Sequence, residues 1–282
     1  MAACLACATW ALGAQQPTFR SNIRVVPIYA TVTGPDGRLL TDLTQEDFQV
    51  FDNGKPQPIT VFSNEPVPIT AVALWDVSNS QVKHATRSRA VARALVEAWW
   101  PEDRVRLGSF GVAIVLSPLL TNDKPTLRRI VDEELWFGGG TPIWTALELG
   151  VSTLARESGR RVLVVLTDAD VIDNRTSDTD VIRAMHRADV MVYALGLEGA
   201  GFSGAIRNVA EDGGGGYLQL PRDAEPGAEM SKVVTELHQQ YMLGFSVAAL
   251  DGRAHSLVVR TRVPGAKVRA RKSYIASEVQ RP

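Results

Sequence analysis

Ala71-Val72-Ala73-Leu74-Trp75-Asp76-Val77-Ser78-Asn79-Ser80 is the stretch on which the fold turns. Its unbroken apolar run describes a strand buried on both faces, as in a parallel sheet covered by helices. That strand runs straight into a carboxylate. Burying Asp76 costs desolvation energy, which a cation or hydrogen-bond donors must offset. The pattern recurs where Val162-Leu163-Val164-Val165-Leu166 runs into Thr167-Asp168. In an open α/β sheet the carboxyl ends of the strands border the crevice where ligands bind. Two aspartates facing one crevice repel each other unless a cation lies between them.

Working outward, apolar strands alternate with amphipathic helical patterns from Ile69 onward. Strands are predicted at 69–75, 104–110, 112–117, 161–167, 190–196 and 216–220, and helices at 81–99, 124–133, 142–157, 177–188, 203–211 and 226–240. This is an α/β pattern with a mostly parallel sheet. Little more than Gly111 separates the second and third strands, so the third runs antiparallel at an edge.

The flanks read differently. Residues 22–62 alternate apolar and polar positions between turn signals, with Thr44-Gln45-Glu46-Asp47 as a short capped turn. Pro56, Pro58, Pro66 and Pro68 mark a linker, because proline continues neither a helix nor a central strand. Strands return at 241–247, 255–263 and 267–272. Neither flank alone has enough strands to be stable, which predicts one smaller β-sandwich assembled from both ends of the chain. The expected organisation is 1–16 as a signal peptide, 17–66 and 241–276 as the two parts of the sandwich, 67–240 as the α/β domain, and 277–282 as a tail.

The signal peptide rests on Met1 to Gln16, which carry no charge, are rich in Ala and Leu, and end in the small-residue stretch Ala11-Leu12-Gly13-Ala14. Its removal would leave the mature protein without Cys4 and Cys7, the only cysteines, and so without a disulfide or a cysteine metal site. The expected location is secreted, periplasmic or at the cell envelope. No later run is apolar enough for a transmembrane segment. The 282 residues include 30 basic and 31 acidic ones, a net charge of −1, so no global charge recruits nucleic acid or an anionic membrane.

The chemistry converges on oxygen donors. Asp76-Val77-Ser78-Asn79-Ser80 sets two hydroxyls at alternate positions of the turn into the first helix. A third hydroxyl, Thr141, follows Gly138-Gly139-Gly140, a run that lets backbones approach closely before a helix begins at Pro142. Few carboxylates, several neutral oxygens and positions open to water suit Mg²⁺ or Mn²⁺ better than a caged Ca²⁺.

With these residues in view, the sequence resembles the von Willebrand factor type A (VWA) family, whose metal-ion-dependent adhesion site (MIDAS) reads DxSxS, then a distant T, then a distant D. Asp76, Ser78, Ser80, Thr141 and Asp168 match all five positions in order, and Asp103-Arg104-Val105, Ser109-Phe110-Gly111 and Leu166-Thr167-Asp168 also fit. The flanking segments 41–48, 52–56 and 240–245 are similar to a bacterial subgroup. Ala169 stands where a glycine usually follows the last aspartate, and Asn79 where glycine is common between the serines.

The resemblance implies a Rossmann-like open sheet with helices on both faces. It also implies an exported, metal-dependent protein-binding or adhesion module that captures a carboxylate from a partner protein, and not an enzyme. In it, hydroxyls hold the ion directly and one or both aspartates act through water. The rival from another class is a Mg²⁺-dependent hydrolase or phosphotransferase with Asp76 as nucleophile. It would want a second acid nearby, where the sequence supplies Ser78 and Ser80. A third reading is a metal-free scaffold.

Other features read as structural. Gly213-Gly214-Gly215-Gly216 precedes a strand and not a helix, so it is a turn and no phosphate cradle. His84, His186, His238 and His255 lack metal-ligand spacing and read as surface or satisfied residues. Arg260, Arg262, Lys267, Arg269 and Arg271 alternate as on the solvent-facing side of a sheet, with a polyanion patch as the functional alternative.

Overall fold

Every residue from Ile69 to Asp76 is buried, as a strand with partners on both edges and helices on both faces requires. The computed structural model describes residues 24–168, 175–197, 204–247 and 250–276. The amino-terminal segment forms β1 (Arg24–Thr33), a 3-10 turn at Gln45–Asp47, β2 (Phe48–Asp52), β3 (Lys55–Gln57) and β4 (Val61–Ser63). The central segment forms β5 (Ile69–Asp76), α1 (Ala85–Ala98), β6 (Arg104–Phe110), β7 (Ile114–Leu116), α2 (Lys124–Glu133) and α3 (Ile143–Leu154). It continues with β8 (Arg160–Leu166), α4 (Asp178–Ala188), β9 (Val190–Leu197), α5 (Gly204–Asp212), β10 (Tyr217–Leu220) and α6 (Pro226–His238). The chain ends in β11 (Tyr241–Val247), β12 (Ala254–Thr261), β13 (Lys267–Arg269) and β14 (Ser273–Ile275).

The central sheet has the order β10-β9-β8-β5-β6-β7. Its strands are parallel except β7, which pairs antiparallel with β6 at the edge, as the short Gly111 connection predicts. Side chains of β5 alternate between the two faces. Ile69, Ala71, Ala73 and Trp75 join a core with α1, α2 and α6. Val72 and Leu74 join another with α3, α4 and α5. From β5 the chain steps first to β6 on one side and later to β8 on the other. The strand order therefore reverses between β5 and β8, and the crevice of an open α/β sheet lies at that reversal. Asp76 ends β5 and Asp168 follows β8 by two residues.

Both ends of the chain contribute to each of two further antiparallel sheets, β13-β1-β11-β4 and β14-β12-β2-β3. They share one core: Val26, Ile28, Ala30 and Val32 from β1, Tyr241, Leu243 and Phe245 from β11, and Phe48, Val50, Leu257 and Tyr274 from the second sheet. The Tyr241 hydroxyl donates to the Leu40 carbonyl at 2.8 Å and accepts from the Leu43 N–H at 2.9 Å, which ties the connection before β2 to β11. Thr44 and Asp47 cap the 3-10 turn, the Thr44 N–H reaching Asp47 Oδ2 at 2.8 Å.

Several expectations need correcting. Pro56 lies within β3 and β4 follows at 61–63, so the linker shrinks to about 64–68. Both strands are sheet edges, where a missing N–H costs nothing. The predicted first helix begins as a 3-10 turn over Asn79–His84 and becomes α-helical only at Ala85. β14 was not predicted.

Nor do the carboxyl-terminal arginines form one solvated row. Arg269 bonds Glu236 of α6, and Arg271 Nη1 bonds Asp189 Oδ1 at 2.6 Å. These pairs dock the sandwich on the α/β unit and leave Arg260 and Arg262 as the exposed arginines of the set. Arg160, buried at the start of β8, adds to this junction. Its guanidinium donates to the Leu237 carbonyl and Gln240 Oε1 and lies 4.6 Å from the Tyr29 ring centre of β1.

His238 is fully buried and satisfied. Its Nε2 lies 3.0 Å from Asp103 Oδ1, its Nδ1 lies 2.8 Å from the Val234 carbonyl, and its ring stacks on Trp100 at 3.8 Å. Asp103 also accepts the Ile69 and Trp100 N–H groups, so it braces the end of β5 opposite Asp76.

Candidate metal centre

β5 delivers Asp76 to the crevice with no exposure. The turn that follows is set by that carboxylate: Asp76 Oδ1 accepts the Ser78 N–H at 2.9 Å, an Asx-type turn that bends the chain into the 3-10 segment. From the next strand, the Thr167 hydroxyl donates to Asp76 Oδ2 at 2.7 Å. The β5–β8 register pairs Trp75 with Leu166, so Asp76 and Thr167 are neighbours and Asp168 lies one residue beyond.

The hydroxyls of Ser78 and Ser80 are 2.9 Å apart. Ser78, Thr141 and Asp168 are all buried, and Asp168 Oδ1 has no hydrogen-bond partner among the described residues. Burial pushes Asp76 up to about 6 and the charge of Asp168 adds to that rise, while hydrogen bonds from Ser78 and Thr167 pull the other way.

Thr141 arrives on a separate loop, held close by backbone bonds. Gly138 N–H donates to the Val77 carbonyl at 2.6 Å, and Val112 N–H to the Gly138 carbonyl at 3.1 Å. Asn79 makes two bonds to Gly139: its N–H donates to the Gly139 carbonyl at 3.0 Å, and its Oδ1 accepts the Gly139 N–H at 3.1 Å. Gly139 has φ +92°, and a Cβ there would sit 2.3 Å from the Val112 nitrogen, so only glycine permits this approach.

Asp76, Ser78 and Ser80 therefore share one turn, Asp168 stands at the adjoining strand end, and the Thr141 loop is stitched to that same turn. Ala169 lies outside the described residues. Sequence reasoning missed the roles of Thr167 and Asn79. Thr167 could have been found from its place beside Asp168 at a strand end, whereas nothing local marks the Asn79–Gly139 pairing.

This donor set fits a small divalent cation. Among the described residues one buried carboxylate oxygen lacks a partner, a second carboxylate is held high by burial, and the paired Ser78 and Ser80 hydroxyls lie on the turn that follows it. Among the described residues, no group of three or more His, Cys, Asp or Glu forms a metal cluster, so hydroxyls must complete any such site.

The family model for the von Willebrand factor type A domain matches residues 72–225, more than half of the chain. The chain belongs to this family. Among solved structures, proximal thread matrix protein 1 from the mussel byssus superposes on the VWA fold with a TM-score of 0.51 at 14% identity, over 67% of this chain and 51% of that one. A von Willebrand factor type A protein from Catenulispora acidiphila aligns over 92% of this chain and 76% of its own, with a TM-score of 0.49 and 11% identity. The manganese-loaded TRAP protein of Plasmodium vivax aligns over 75% of this chain and 97% of its own, with a TM-score of 0.48 and 14% identity. At such identities the likeness is one of fold. No curated protein matches the chain. Among the described residues, no helix is long and apolar enough to cross a membrane.

Proposed function

We propose that this VWA domain is a divalent-cation-dependent protein-binding module in which Asp76, Ser78, Ser80, Thr141 and Asp168 hold Mg²⁺ or Mn²⁺. The observation that carries this reading is the pair of buried carboxylates at adjoining strand ends, one with an oxygen that has no partner among the described residues, beside the Ser78 and Ser80 hydroxyls 2.9 Å apart. The hydroxyls of Ser78, Ser80 and Thr141 would hold the ion, and Asp76 and Asp168 would balance its charge. When bound, the ion supplies a hard electrophilic position that accepts a carboxylate oxygen from a partner protein.

A zinc-occupied MIDAS motif in the mussel byssus matrix protein, a neighbour in fold, is in keeping with a divalent ion here. The nucleophile reading has less support, because Ser78 and Ser80 stand on the turn after Asp76 where that chemistry wants a second acid. The uncharged first sixteen residues support export to the cell envelope or beyond, which fractionation of the native cells tests.

The test of the site is Mn²⁺ binding followed by calorimetry and electron paramagnetic resonance. One ion per chain is expected, lost in Asp168→Ala. Partner capture from the native envelope should need the ion and fail in Thr141→Ala even where that variant keeps some metal, because Thr141 sits on a different loop from the other hydroxyls. Chelator-insensitive capture, or a full metal complement in Asp168→Ala, overturns the reading.

A further inference from the structure

Three large apolar side chains stand in solvent on the segments that build the site. Val112 is 87% exposed, Trp136 is 80% exposed and Val82 is 53% exposed. Single exposed apolar residues are ordinary on protein surfaces. These three are not scattered. Val112 N–H bonds the Gly138 carbonyl, two residues from Trp136, and Val82 lies in the 3-10 turn whose Asn79 bonds Gly139.

Trp136 is also held outward by its neighbours. Leu135 is buried, Phe137 packs against the core, and Arg89 fixes both, donating to the Leu135 carbonyl at 2.7 Å and lying 5.3 Å from the Phe137 ring centre. An indole presented on so constrained a backbone loses little freedom on binding, the property that makes tryptophan a frequent binding anchor. Lys83, exposed next to Val82, adds a positive charge on the same turn.

We infer that Trp136, Val112 and Val82 form the apolar part of the recognition surface, and that the partner presents an acidic side chain with a large apolar one near it in sequence. The inference rests on the metal-site reading for the acidic contact, and the three apolar residues add the neighbouring chemistry. The occupant is a protein segment: the apolar rim gives an aliphatic or aromatic side chain a place to lose water, while Lys83 and the site favour the carboxylate beside it.

Selection of random twelve-residue peptides displayed on phage against the full protein, in Mg²⁺ and in chelator, tests this. Enriched peptides are expected to carry Asp or Glu near Leu, Ile, Phe or Trp in sequence. The best of them, made synthetically, should bind about ten-fold or more weakly to Trp136→Ser. Trp136 is exposed, so this variant should fold and keep its Mg²⁺ thermal shift. Acidic peptides without an apolar neighbour, or binding unchanged in Trp136→Ser and Val112→Ser, overturn the inference while leaving the metal reading intact. Apolar-flanked peptides enriched equally in chelator support the apolar surface and overturn the metal reading. Absence of any enriched sequence in Mg²⁺ overturns the inference.

Discussion

Asn79 and Gly139, 60 residues apart in the chain, clasp each other through two hydrogen bonds, one from the Asn79 N–H and one to its side-chain oxygen. The clasp sets how closely the Thr141 loop approaches the turn bearing Ser78 and Ser80. Asn79→Gly keeps the backbone bond, deletes the side-chain one and frees the turn. A single hydrogen bond contributes about 0.5–1.5 kcal/mol, so Mn²⁺ affinity should fall by up to about two- to thirteen-fold. Calorimetry on Asn79→Gly and Asn79→Ala separates loss of the side-chain bond from added freedom. Equal affinity in all three proteins would mean that the clasp does not shape the site.

Metal binding and folding should be linked, because the five oxygen donors come together only in the folded chain. With Mg²⁺ at a hundred times its dissociation constant the gain is about 2.7 kcal/mol, read as a rise in melting temperature. Asp76→Ala should abolish that rise. An equal rise in wild type and variant would place the stabilising ion elsewhere.

What the sequence discloses and what it hides divide along physical lines. The buried runs ending in Asp76 and Asp168 announce a covered parallel sheet, since few other structures place so many apolar residues in a row before a carboxylate. The reversal of strand order between β5 and β8 then puts both at one crevice. Ser273-Tyr274-Ile275 gives no such signal; β14 exists because Ala254 to Ser256 of β12 are there to pair with it. Arg269 and Arg271 follow strand alternation, yet their partners Glu236 and Asp189 belong to the other unit, which periodicity does not encode. The Asn79–Gly139 clasp is hidden for the same reason: it depends on where two loops meet.

The sandwich carries a titratable tie that should make stability depend on pH. His255 lies 3.0 Å from Asp52 Oδ1 and 3.2 Å from Asp251 Oδ1, with Asn53 and Tyr274 close by. Burial lowers its pKa, but hydrogen bonds to Asp251 and Asp52 outweigh that and raise it above its ordinary value. Because the folded value exceeds the unfolded one, the stabilisation is fully present below about pH 6.5 and is lost as pH rises through the folded value. Melting temperatures of wild type and His255→Gln should differ most at pH 5.5 and converge at higher pH. A constant difference would mean that protonation plays no part.

Removing everything after Gln240 should unfold the amino-terminal strands. β1 would lose β11, its partner along Arg24 to Ala30, and β13, its partner along Thr31 to Thr33. β2 would lose β12 and keep only the three-residue β3. Ile28, Val32, Phe48 and Val50, buried in the intact chain, would then face water, and an isolated two-stranded ribbon is at best marginally stable. The α/β unit keeps its own sheet and both of its cores. Limited chymotrypsin digestion should therefore cut the truncated chain at Phe48, Phe51 or Phe62 within minutes and cut the intact chain at these sites far more slowly. Protection of 24–63 in that chain would mean that the amino-terminal strands are held by the α/β unit alone, and that the two ends do not depend on each other to fold.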